Sequence, residues 1–272
     1  MEDQIGKIHI DVDEEKRNVV FGGQLATAFV KKMVAGERIH GRRFSFDGEL
    51  IREIHKRVEW GSPQAGQLRQ REGIGLGWNP LSSFVDLPTK LYLFGHWLKD
   101  QMETLAANPE DLVYALRIAA AAHFGLTMKE FHPFPNGNGR TARALMNAIL
   151  MSQSYELVAH RLAIPPISIV RTETDRDQYI KALQAVEQTQ TLNPFMIYVA
   201  KKWTESLDER LERIKTRIQY PRTKADHALL MKLESRRNKL NDFIKQGIID
   251  EHGHPQQFPV LMHEYFTPKR LR

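Results

Sequence analysis

The chain has 272 residues, 42% of them hydrophobic, and no cysteine. That suits one large packed core or a domain with an appendage, and it excludes disulfides and thiolate metal sites. No apolar run reaches transmembrane length and the start, Met1-Glu2-Asp3-Gln4, lacks the basic and apolar regions of a secretory signal, so a cytoplasmic protein away from membranes is expected.

Of the net charge of +6, residues 210–272 carry 14 Lys/Arg against 7 Asp/Glu, which leaves the rest near neutral. Residues 1–20 are polar, with an alternating patch from Ile8 to Val12 that reads as an edge strand. Gly22-Gly23 then precede a helix with Leu25, Phe29 and Met33 on one stripe. A second helix is expected from about Gly48 to Trp60, with Leu50, Ile51, Ile54 and Val58 inward and Ser45 or Asp47 as its cap. Glycine and proline crowd residues 61–83, where Ile74-Gly75-Leu76-Gly77-Trp78 alternates like a strand and ends in Asn79-Pro80.

Helical spacing returns from about Asp86 to Ala107. Asn108-Pro109-Glu110-Asp111 reads as the start of the next helix, with a capping side chain, a proline and then acids at the positive end. That helix, to about Glu130, is apolar on nearly all sides and so should be buried. His123 on it is read as structural. Further helices are expected at Arg140 to Gln153, Asp175 to Gln190, after Asn193-Pro194 to Gln219, and Lys224 to Gln246, with Gly247 as a C-cap. The last two form a helical hairpin whose charges are read as a solvated face. A nucleic-acid surface using Arg236, Arg237 and Lys239 is the alternative. His252, His254 and His263 lack metal-site spacing.

The chemistry gathers in Glu130-Phe131-His132-Pro133-Phe134-Pro135-Asn136-Gly137-Asn138-Gly139-Arg140-Thr141-Ala142-Arg143. Pro133 and Pro135 cannot continue the preceding helix. The loop N–H groups and the next helix N-terminus form an anion-sized concavity. Arg140 and Arg143, one turn apart, can grip further phosphate oxygens. His132 stands at the entrance as a titratable base.

This stretch resembles the Fic (Fido) domain family, whose pattern is His-x-Phe-x-(Asp/Glu)-Gly-Asn-Gly-Arg-x-x-Arg. His132, Phe134, Gly137, Asn138, Gly139, Arg140 and Arg143 match it, and Asn136 stands where the family has an acid. Gly66-Gln67-Leu68-Arg69 also resembles a Gly-x-x-Arg segment of the family, and Arg176 to Leu183 resembles the helix after the motif.

The resemblance implies a mainly α fold: a Fic-type helical core at 45–205 with a short β-hairpin flap. An N-terminal segment at 1–44 and a basic helical appendage at 206–272 would flank it. It implies transfer of AMP from ATP, with Mg²⁺, to a Ser, Thr or Tyr hydroxyl of a target protein. In that reading His132 is the general base. Asn136, Gly137, Asn138, Gly139, Arg140 and Arg143 hold the phosphates, and Phe134 anchors the loop. Asn136 stands at the metal position with an amide instead of a carboxylate. Gly73, Ile74, Gly75 and Leu76 form the flap that holds the target by strand addition.

Many family members are restrained by a (Ser/Thr)-x-x-x-Glu-(Gly/Asn) helix. Ser45-Phe46-Asp47-Gly48-Glu49 fits five positions and Leu50 fails the sixth, so a protein active alone and one restrained by a separate partner both stay open. The alternatives are a related transfer from another donor, and a nucleic-acid-associated regulator with a vestigial loop.

Overall fold

The computed structural model describes residues 12–36, 45–73, 81, 83–128, 131–153, 173–189, 191–217 and 224–247. Eight helices lie among them, in the order α1 Val12–Val34, α2 Gly48–Val58, α3 Leu87–Ala107, α4 Leu112–Thr127, α5 Asn138–Ser152, α6 Glu173–Thr189, α7 Asn193–Arg217 and α8 Lys224–Gln246. The fold is mainly α, as expected. No described helix is long and apolar enough to cross a membrane.

The centre is α4, which buries Leu116, Ile118, Ala119, Ala120, Ala121 and Ala122 and packs chiefly along α5. Short alanine side chains on α4 let the two helices approach closely, since interhelix distance follows side-chain size. Around this pair one hydrophobic cluster gathers Phe29 of α1, Leu50 of α2, Phe94 of α3, Val186 of α6, Trp203 of α7 and Leu240 of α8. Each fully buried large apolar side chain of this kind contributes about 1.5–3 kcal/mol. The loop that leaves α4 is nailed into the same cluster by Phe131 and Phe134, both fully buried.

Several boundaries shift for physical reasons. Asp47, rather than Ser45, caps α2, its Oδ1 accepting from the Leu50 N–H at 3.0 Å. The cap of α4 is Asp111, which accepts from the Tyr114 N–H at 2.8 Å, while Asn108 closes the turn before it. Gly22-Gly23 do not precede α1 but lie inside it. A Cβ at Gly22 would collide with the Val58 carbonyl, so glycine there is a crossing point of α1 over the end of α2. The predicted strand patch lies at residues 8–11, outside the described residues, and Val12 already belongs to α1.

The appendage is tied to the core. Arg236, nearly buried, donates to the Gln153 carbonyl at 2.6 Å, and Lys232 pairs with Glu110 at 3.3 Å. Helix α7 runs without a break through residue 205.

Candidate active site

The loop from Phe131 to Gly137 is held from three sides, and each support comes from a residue distant in sequence. On the α2 side, His55 is fully buried, with its ring stacked face to face on Phe134 at 3.8 Å and 4°. The Gly66 N–H donates to His55 Nδ1 at 2.9 Å, so the ring proton is on Nε2, which donates to the Asn136 carbonyl at 3.1 Å. Burial and the nearby Arg140 charge push this imidazole down to about 4, against a raising contribution from the Asn136 carbonyl. It is a neutral strut.

From inside the loop, Asn138 Oδ1 accepts from the Phe134 N–H at 3.0 Å and its Nδ2 donates to the Phe134 carbonyl at 2.8 Å. The Asn138 side chain is therefore loop architecture, and what it can offer an anion is its backbone N–H. Gly137 supplies the left-handed turn, φ 70°, that starts α5 two residues earlier than the predicted Arg140. The first-turn N–H groups of Asn138, Gly139 and Arg140 have no carbonyl within the helix to pair with, which is the property that makes a helix start bind anions.

The third support is Arg69. Its N–H donates to the Pro133 carbonyl at 2.9 Å and its Nε donates to the His132 carbonyl at 3.0 Å. His132 itself is the described non-glycine residue with a positive φ, 35°. Its Nδ1 lies 3.3 Å from the Thr127 carbonyl, so Nδ1 carries the proton and Nε2 the lone pair. Burial, reinforced by the Arg69 charge, lowers the proton affinity of this ring, while the Thr127 carbonyl raises it. The histidine is thus kept neutral near pH 7, as a proton acceptor must be.

The two arginines differ. Arg143 lies with its guanidinium 6.0 Å from the centre of the Tyr179 ring. Tyr179 in turn meets the buried His123, hydroxyl to Nε2, at 3.1 Å. Burial and the Arg143 charge press His123 down to about 3, in keeping with its structural reading. Arg140 Nη2 pairs with Glu59 Oε1 at 2.5 Å and its Nη1 donates to the Val58 carbonyl at 3.3 Å.

The Glu59 carboxylate lies so close to Gly137 that a Cβ there would strike it. A glutamate at a helix C-terminus meets the negative end of the dipole, so Arg140 is what holds it there. Sequence spacing missed Glu59, since nothing local marks it; the exposed Glu49, weighed as a restraint, does not fill that place.

Asn136 is exposed and its backbone carbonyl is taken by His55. It offers a cation one neutral amide oxygen, and the neighbouring carboxylate is committed to Arg140. No group of three or more His, Asp or Glu side chains suited to a metal occurs among the described residues. These donors do not fit a resident Mg²⁺, which prefers carboxylates and substrate phosphates. Of the predicted flap, Ile74, Gly75 and Leu76 lie outside the described residues. Gly73 is described, and its carbonyl accepts from the Leu81 N–H at 3.0 Å, joining the two ends of that segment.

A family model described as the Fic/DOC family matches residues 45–150. The protein adenylyltransferase fic-1 of Caenorhabditis briggsae is 32% identical over 203 residues, covering 74% of this chain and 35% of that protein. The protein adenylyltransferase Fic of Nematostella vectensis is 33% identical over 163 residues, covering 59% of this chain and 33% of that protein. The chain therefore spans about a third of the length of the curated relatives it matches. With the motif and these relatives in agreement, residues 45–150 of the chain form a domain of the Fic/DOC family.

Proposed function

We propose that this protein transfers AMP from ATP to a hydroxyl of a target protein. The observation that carries the reading is the pairing, on one short loop, of a neutral histidine whose Nε2 holds a lone pair with a glycine-started helix that bears two arginines. The relatives named protein adenylyltransferases support the same reaction.

In this reading the triphosphate lies over the N–H groups of Asn138, Gly139 and Arg140. Arg143 takes terminal phosphate oxygens, and Arg140 joins it after leaving Glu59. The target hydroxyl oxygen attacks the α-phosphorus. Its bond to phosphorus forms as the bond to the pyrophosphate oxygen breaks, and the hydroxyl proton passes to His132 Nε2. Pyrophosphate leaves with its charge held by the arginines and the helix start. Mg²⁺ enters as part of the nucleotide, MgATP, and no step is assigned to it. The segment joined at Gly73 and Leu81 lies next to Arg69 in sequence, which supports target docking there.

A nucleic-acid role for the appendage has less support. Arg236 is spent on Gln153, Arg237 pairs with Asp208 at 3.5 Å and Lys215 with Glu234 at 3.4 Å. Incubation with α-labelled and γ-labelled ATP tests the proposal. Label on protein from the α-phosphate, lost in His132→Ala, is the expected result. Label from the γ-phosphate alone, or none, overturns it.

A further inference from the structure

A base must be aimed as well as neutral, and at His132 the aim is set by backbone. A positive φ at a residue with a side chain is unfavourable and persists only where the surroundings over-determine it. Two anchors do so here. Helix α4 holds the ring, through Thr127 and Nδ1. The peptide on the other side of the Cα is held by one side chain, Arg69, whose Nε reaches the His132 carbonyl while its own N–H takes the next carbonyl, that of Pro133. The guanidinium is fixed at a further point, Nη1 donating to the Arg71 carbonyl at 3.1 Å, and Arg69 is only 5% exposed.

We propose that Arg69 is the positioning residue of this site, holding the peptide after His132 so that the lone pair on Nε2 points at the hydroxyl to be modified. The inference rests on the functional reading above. An arginine is required by the geometry. Its planar group donates from Nε, part-way along the side chain, and from Nη1 beyond, to two carbonyls at once. A lysine has one donor centre, at the tip.

The segment that carries Arg69 is itself braced. Both polar groups of Gly66 are taken by α2, the N–H by His55 and the carbonyl by Arg52 Nε at 3.0 Å. The same segment continues to Gly73, where the bond to Leu81 begins the proposed target-binding part.

Arg69 also acts on the ring by charge. Facing His132 from α4 is the uncharged Thr127 carbonyl, and from the braced segment Arg69, beside which stands Glu72. On the far side of the loop His55 is neutral and Arg140 is balanced by Glu59.

The test compares Arg69→Gln and Arg69→Lys in the full chain. Three readouts are needed: the NMR titration of the His132 ring, identified by its loss in His132→Ala; calorimetric binding of ATP; and the rate of AMP transfer. Both variants should lower kcat about 100-fold, the cost of a misplaced reacting group, with KM for ATP within about twofold of wild type. The His132 titration should move up in Arg69→Gln and stay low in Arg69→Lys, which keeps the charge. The rising limb of the pH–rate profile should move up with it.

An unchanged titration in Arg69→Gln, or a kcat within about twofold of wild type in either variant, overturns the proposal. So does a loss that falls on KM for ATP. Absence of transfer by wild-type protein would sink the functional reading instead, and the ring titration would then decide the role of Arg69 alone.

Discussion

Two histidines brace the same loop, one from each end, and they are built differently. His55 has both ring nitrogens bonded, a stacked ring on one face and no exposure. His132 has Nδ1 engaged, and no described residue bonds its Nε2. The first has no capacity left for chemistry. The second keeps one nitrogen in reserve, at the cost of an unfavourable backbone angle. Burial lowers the proton affinity of both, so a depressed pKa alone does not separate strut from base; the unspent nitrogen does.

Replacing each histidine by alanine should separate the two roles. His132→Ala should cut AMP transfer by about 10²–10⁴-fold, the usual worth of a general base, with the melting temperature kept. His55→Ala should do the reverse. Loss of the stacked ring and two buried partners costs on the order of 3 kcal/mol, read as a lower melting temperature with ATP binding surviving below it. If both variants lost activity and stability together, the contrast between them would fail.

Acid should divide them again. In the unfolded chain His55 takes a proton near its ordinary value of 6.5, and in the folded protein near 4. Between those values the unfolded chain binds more protons, so stability is lost as pH falls from 6.5 to 4, and His123 acts in the same direction. Activity should already be level by pH 7, because the His132 limb lies below 6.5. Thermal melts and initial rates across pH 4–8 check both. A rate still climbing above pH 7 would remove His132 as the base.

The arginine end of the loop gives smaller effects. Glu59→Gln frees Arg140 without changing shape and should tighten ATP binding about fivefold, close to 1 kcal/mol, by calorimetry. Weaker binding would mean that the carboxylate supports the cradle rather than competing for it. Asn136→Asp should lower the Mg²⁺ concentration needed for half-maximal rate about threefold. That is well inside the roughly 4 kcal/mol ceiling for one added charge at 4 Å. Unchanged Mg²⁺ dependence would take position 136 out of the site.

What could be read in the sequence was local. The loop, the helix it starts, the buried α4 and the mainly α class follow from spacing, prolines and glycines within a dozen residues. What escaped reading was long-range. Arg69 meets a carbonyl 63 positions on, and Glu59 meets an arginine 81 positions on, and no periodicity reports such pairs. Asn138 adds a role the motif does not announce, because its side chain closes its own loop on Phe134. Gly22-Gly23 read as punctuation, whereas Gly22 is the place two helices cross.

That crossing reaches further than packing. The Val58 carbonyl that leaves no space for a methyl group at position 22 is the same atom that receives Nη1 of Arg140. A substitution there would shift the end of α2, and the guanidinium would lose its seat with it. Position 22 and the arginine end of the loop should therefore evolve as a linked set, with a larger residue at 22 tolerated only alongside a compensating change at 58, 59 or 140.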